Sequence, residues 1–146
     1  MHDGRVWFVC ARLAELGATL VDADVVAREV VAPGQPALAE IRAAFGDAMI
    51  AADGALDRAR MRRHVFADPA ERIRLEAILH PRIRTRMREL AAKAPGAYCV
   101  LAIPLLVESG GAYDWVDRVV VVDVPPDEQV RRLVARDGID ARLARD

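Results

Sequence analysis

The sequence predicts an α/β fold: a parallel sheet interrupted by an all-helical insert. Two observations carry that prediction. The runs 97–103 and 118–124 are largely apolar with many branched side chains, the composition of strands covered on both faces rather than on one, and 18–21 reads as a short buried strand. Between that short strand and the run 97–103 lie about seventy residues with helical periodicity and clear turn signals, which makes that stretch an insert rather than a string of strands. At 146 residues, 53% apolar and 29% charged, the chain is long enough to build one real core.

In chain order, Val6 to Val9 could imitate a first strand, and Cys10 to Leu16 reads as a helix with Leu13 and Leu16 inward, stopped by Gly17. Ala18 to Val21 then forms a short buried strand. Pro33-Gly34 breaks the chain ahead of a helix ending near Phe45, and Ala52-Asp53-Gly54 makes a turn. Asp68-Pro69 caps a long helix carrying Ile73, Leu75, Ile78, Leu79, Ile83, Met87 and Leu90; Pro81 in its middle removes one hydrogen bond and should kink it. Ala97 to Ile103 is the second sheet strand, ended by Pro104, and Arg118 to Val124 the third, ended by Pro125-Pro126. Asp127 to Arg136 closes the chain as a helix with Val130 and Leu133 inward, interrupted at Asp137-Gly138. The expected division is a core of 1–29 plus 97–130, a helical insert of 30–96 that serves as a substrate cap, and a last segment of 131–146.

Charge narrows the function. The net charge of −1 argues against bulk nucleic-acid binding. Lys93 is the only lysine among 21 basic residues; a guanidinium bias suits the gripping of phosphates, and a GC-rich coding sequence produces the same bias. Cys10 and Cys99 stand in apolar surroundings without metal or redox spacing and read as small buried hydrophobes. No apolar run approaches the ~20 residues that cross a bilayer, and the first residues are not a secretory leader. A cytoplasmic protein without membrane or nucleic-acid partners is expected.

The pair Asp22-Ala23-Asp24 ends the first strand, where open α/β sheets bind ligands. In an extended segment the two carboxylates share one side and could orient a hydroxyl or a hydrated magnesium ion; alternatively Asp24 simply caps the following helix. His80 beside Pro81 either contacts a ligand or satisfies carbonyls freed by the kink. Arg82, Arg84, Arg86 and Arg88 fall on two faces of the long helix and read as solvated positions before they read as a phosphate grip. Glu108 has a surface helix position as its plain reading.

Three blocks, Asp22-Ala23-Asp24 with Arg28, Leu79-His80-Pro81, and Pro104-Leu105-Leu106-Val107-Glu108, stand in the order and at the intervals of one family. Over residues 11–146 the chain resembles the dephospho-coenzyme A kinases. The resemblance implies a three-layer core of P-loop-kinase type with an inserted helical cap and a partial lid. It also implies ATP with magnesium as donor, dephospho-coenzyme A as acceptor, and phosphorylation of the ribose 3′-hydroxyl, the last step of coenzyme A synthesis. By the same resemblance Asp24 takes the hydroxyl proton, and Asp22, Arg28, His80, Pro104, Leu105 and Leu106 contact the acceptor, with Asp22 also a metal candidate. Arg131, Arg132 and Arg136 fall where the lid closes on nucleotide phosphates, which gates the reaction and excludes water.

The family pattern Gly-x-x-x-x-Gly-Lys-Ser/Thr, whose backbone amides cradle phosphates, has no counterpart here, since Gly4 is the only glycine before Gly17. The chain is thus expected to be a kinase truncated at both ends, with the acceptor side kept and little turnover. The alternatives are a non-catalytic fragment that binds dephospho-coenzyme A or serves as an interaction module, and a different nucleoside or nucleotide kinase of the same architecture. Exposed strand edges would favour self-association.

Overall fold

A computed structural model of the chain describes residues 4–104, 106, 110–122, 125–138 and 140. They form two compact units, 1–115 and 116–146.

In the first unit α1 (Gly4–Glu15) leads into β1 (Thr19–Asp22), α2 (Ala23–Glu29) and α3 (Pro36–Phe45). The helix therefore starts earlier than the sequence suggests, and Val6 to Val9 belongs to it rather than to a strand. Four branched or aromatic residues satisfy either period, and the apolar spacing that continues through Cys10 and Leu13 selects the helix. Gly17, at φ 93°, turns the chain out of α1, with its N–H donating to Ala14 O at 2.9 Å. Past α3 a single 3-10 turn (Asp47–Met49) and an Ile50–Leu56 bridge enclose the expected turn at residues 52–54, where Gly54 N–H donates to Ala51 O at 2.9 Å. The helices α4 (Arg58–Ala67) and α5 (Pro69–Ala92) follow, capped by Asp57 and Asp68, whose carboxylates accept from Arg60 N at 2.9 Å and Ala70 N at 2.8 Å. Pro81 lies inside α5, which remains one helical element of 24 residues.

The strand β2 (Cys99–Ala102) pairs in parallel with β1, Thr19 opposite Cys99 and Asp22 opposite Ala102. Their carboxyl ends are therefore level. At the other end Thr19 Oγ1 donates to Pro95 O at 2.7 Å and fixes that register. Both α1 and α5 pack on the two strands, so the α/β architecture with a parallel sheet stands as the sequence predicts.

The insert has its own core. Val31, Ala37, Ile41, Met49 and Met61 are buried together, with Phe45, Leu56, Val65, Leu75, Ile78 and Leu79 packed around them. Ile41 and Ala37 are wholly enclosed; full burial of one such isoleucine contributes about 2 kcal/mol.

The second unit contains α6 (Pro126–Asp137), ended by Gly138 at φ 65°. The expected third strand is not observed among the described residues: 118–122 enter no ladder, and 123–124 lie outside them. Val119, Val120 and Val121 are 58%, 77% and 78% exposed. A continuous apolar run tells that both faces call for cover, but a strand also needs a neighbour's backbone, which local sequence does not supply. No described helix is long and apolar enough to cross a membrane.

Candidate functional site

The end of β1 is where the chain turns from strand to helix. Asp22 keeps an extended backbone (φ −100°, ψ 121°) while Ala23 is already helical, so Asp22 is both the last strand residue and the N-cap of α2. Its Oδ1 accepts from Asp24 N at 2.7 Å and Val25 N at 3.3 Å, satisfying two of the amides that open a helix. Asp22 is the sole buried charged residue described, 8% exposed, whereas Asp24 is half-buried in the first turn of α2. The two carboxylates therefore do not share the face of an extended segment, and the cap is Asp22 rather than Asp24. The cap passes from Asp24 to Asp22 because the helix starts at Ala23, which rotates Asp24 away from the strand's alternation.

Asp24 and Arg28 are one turn apart on α2 and so lie on one face. Arg28 is exposed and has no ion pair among the described residues, in contrast to Glu29, which pairs with Arg86 at 3.5 Å. The Cys10 thiol, on α1, is pushed above its ordinary pKa first by burial and then by the negative charge of Asp22, which places α1 beside the same carboxylate.

Pro104 follows β2 at the sheet end that carries Asp22 and is exposed; Leu106 is half-buried, while Leu105 and Glu108 lie outside the described residues. His80 is exposed on α5 and makes no hydrogen bond among the described residues, and it is Arg82 Nη1 that donates to Ile78 O, at 2.7 Å, in the turn around Pro81. In the second unit Arg131 pairs with Glu128, and Arg132 Nε lies 2.7 Å from Glu128 Oε1, on α6; the side chain of Arg136 lies outside the described set.

The four alternating arginines of α5 divide sharply. Arg82 pairs with Glu40 of α3, and Arg86 with Glu29 of α2 and, at 3.4 Å, with Glu89. They line a cleft of about 440 Å³ with Val30, Gln35, Pro36 and Pro81, and their charges are already matched there. On the other face Tyr113, only 8% exposed, donates its hydroxyl hydrogen bond to Met87 Sδ at 3.5 Å, and Arg88 stacks over the Trp115 ring at 5.1 Å. Burial pushes the Tyr113 phenol above its ordinary pKa, and the nearby Arg84 guanidinium opposes the rise. The sequence reading gave no role to Tyr113 or Trp115; the available signal was the four-residue spacing of His80, Arg84 and Arg88.

Among the described residues no group of three or more His, Cys, Asp or Glu could hold a metal ion. One oxygen of Asp22, Oδ1, is committed to two amides.

A family model described as dephospho-CoA kinase matches residues 7–146. The dephospho-CoA kinase of Thiobacillus denitrificans is 54% identical over 129 residues, covering 88% of this chain and 63% of that protein. That of Xanthomonas axonopodis pv. citri is 49% identical over 138 residues, covering 93% and 68%. The chain thus spans about two thirds of the length of these relatives, and less for the Thiobacillus protein. The crystal structure of TT1252 from Thermus thermophilus superposes with a TM-score of 0.73 at 30% identity, over 94% of this chain and 69% of that one. Dephospho-CoA kinase from Campylobacter jejuni gives 0.61 at 25% identity, over 90% and 66%.

Proposed function

The chain belongs to the dephospho-CoA kinase family, and from that premise we propose that it carries the acceptor side of the reaction, in which the γ-phosphoryl group of ATP passes to the ribose 3′-hydroxyl of dephospho-CoA in the cytoplasm. The supporting observation is the strand-to-helix corner at Asp22: a buried cap that fixes α2 and thereby holds Asp24 and Arg28 on one face, at the level carboxyl ends of two parallel strands.

Phosphoryl transfer passes through a loose transition state, so a protein contributes chiefly by aligning the nucleophile and balancing charge. Asp24 accepts the proton of the attacking 3′-hydroxyl. Asp22 acts through the helix it caps, and Arg28, one turn beyond Asp24, balances acceptor phosphate. His80, Pro104, Leu105 and Leu106 wall the acceptor, and Arg131, Arg132 and Arg136 serve the nucleotide phosphates when the lid shuts. Magnesium would accompany ATP as its counter-ion; no step is assigned to a protein-held ion.

A second reading is a chain that binds dephospho-CoA without turning it over, since residues 1–146 contain no Gly-x-x-x-x-Gly-Lys-Ser/Thr pattern to cradle phosphates. Calorimetry with dephospho-CoA, then ADP release with ATP and magnesium, separates the two. Binding with little or no ADP release is expected of this chain, and absence of heat at millimolar dephospho-CoA removes both readings. In a version supplied with a donor loop, Asp24→Asn is expected to lower turnover about a hundredfold or more while leaving binding in place; undiminished turnover refutes the role of Asp24.

A further inference from the structure

The second face of α5 carries a feature that the acceptor reading leaves unused. Of the four half-buried arginines described, Arg82, Arg86 and Arg132 have carboxylate partners, and Arg84 has none among the described residues. A guanidinium withdrawn from water without a counter-charge is costly, and the cost is met when an anion occupies the position. Arg84 is flanked at four-residue intervals by His80 and Arg88, which aligns three nitrogen-rich side chains along one side of the helix.

A second observation points the same way. The Tyr113 hydroxyl is buried, and its acceptor is the Met87 thioether at 3.5 Å, a weak partner for a strong donor. A phosphate oxygen would be a better one. Arg88 meanwhile lies over the Trp115 ring; stacking engages the flat face of a guanidinium and leaves its N–H edge available. Tyr113 and Trp115 sit on the segment that leaves the carboxyl end of β2, so a ligand held here would lie between α5 and that segment.

We infer that Arg84 and Arg88, with the Tyr113 hydroxyl, form a diphosphate-binding face that receives the diphosphate bridge of the acceptor. Two guanidinium forks one helical turn apart reach two linked phosphoryl groups, each able to donate paired hydrogen bonds. The neighbouring Arg82 and Arg86 do not compete, since glutamates already hold them. The inference rests on the acceptor reading for the identity of the ligand, but the chemistry it needs is only a diphosphate.

The test is calorimetry on the whole chain with dephospho-CoA, inorganic pyrophosphate and adenosine, comparing wild type with Arg84→Gln, Arg84→Lys, Tyr113→Phe and, as a control, Arg62→Gln on α4, which is exposed and has no ion pair among the described residues. Arg84→Gln is expected to weaken dephospho-CoA and pyrophosphate by about tenfold or more, the loss of a charge-assisted pair of hydrogen bonds, and to leave adenosine unchanged. Lysine restores part of the affinity because it keeps the charge and loses the fork. Tyr113→Phe costs about threefold for pyrophosphate, and Arg62→Gln nothing. Should Arg84→Gln unfold the chain, the lysine and phenylalanine variants carry the decision. Dephospho-CoA and pyrophosphate binding within twofold of wild type in Arg84→Gln overturns the inference and leaves the acceptor reading intact. Pyrophosphate bound through Arg84 with no affinity for dephospho-CoA upholds the face and removes the acceptor reading. Wild type binding neither ligand overturns the inference.

Discussion

Replacing Asp22 by alanine tests the corner on which the site is built. Its Oδ1 accepts two amides, from Asp24 at 2.7 Å and Val25 at 3.3 Å, and the residue is 8% exposed. Loss of an aspartate N-cap costs about 1 kcal/mol. Because the corner is enclosed, water does not readily replace the carboxylate, and an unsatisfied buried amide adds roughly 1 kcal/mol more. The expected loss is about 2 kcal/mol, concentrated in α2, a helix of seven residues anchored by Val26 at 1% exposure. With a urea slope of about 2 kcal/mol/M, the midpoint should fall by about 1 M. Asp22→Asn keeps an oxygen acceptor and should lose roughly half as much. Asp24→Asn, which removes only a charge near the helix start, should cost about 0.5 kcal/mol. Urea titration by circular dichroism, with the slope unchanged, measures all three. If Asp22→Ala costs no more than Asp24→Asn, the cap is not what holds the corner, and the positioning of Asp24 needs another cause.

The other predictions concern packing, alkali and association. Ile41→Ala, at a wholly enclosed position in the insert core, should cost about 3 kcal/mol in the same titration, and a loss below 1 kcal/mol would mean that the cluster is loosely packed. Cys10, Cys99 and Tyr113 all titrate above their ordinary values, chiefly through burial. The folded state therefore holds those protons more tightly than the unfolded chain, and stability is full below the unfolded values and lost as pH rises through the folded ones. Melting temperature should decline above about pH 9 for the thiols and about pH 10 for the phenol, and Cys10→Ala with Cys99→Ala should flatten the earlier part of the fall. Val119 to Val121 present three exposed branched side chains in a row, so self-association that Val120→Lys abolishes is expected in light scattering; a monomer at high concentration refutes it.

The helices were legible wherever a local signal punctuated them: Asp68-Pro69 at the start of α5, Gly17 after α1 and Gly138 after α6 all stand where the sequence puts them. Two strands were legible to within a residue or two from short apolar runs. The third run, with the same composition, forms no ladder among residues 118–122, because pairing is a property of two segments and the run specifies one. The acids were visible in the sequence, yet which of them caps was not, since that turns on the single residue at which φ and ψ change from strand to helix. Nor could spacing tell paired arginines from unpaired ones. Arg82 and Arg84 look alike in a list of residues; only the packing of α3 and its Glu40 against one face of α5 separates them.

That separation explains how one helix joins two parts of the molecule. On the Arg82 and Arg86 face α5 is tied by ion pairs to α3 and α2, each pair exposed enough to contribute no more than about 1 kcal/mol. On the Tyr113 face it is tied to the segment after β2 by a buried ring and by Met87, which is wholly enclosed. The second tie is the stronger, because burial of a tyrosine and a methionine outweighs exposed ion pairs. Displacement of α5 should therefore open the cleft beside Pro81 before it moves Arg84 away from Tyr113. Asp22 at the end of β1 and the cations of α5 would keep their spacing while the insert flexes, as the proposed acceptor site needs if it is to hold a flexible, doubly charged ligand in register with Asp24.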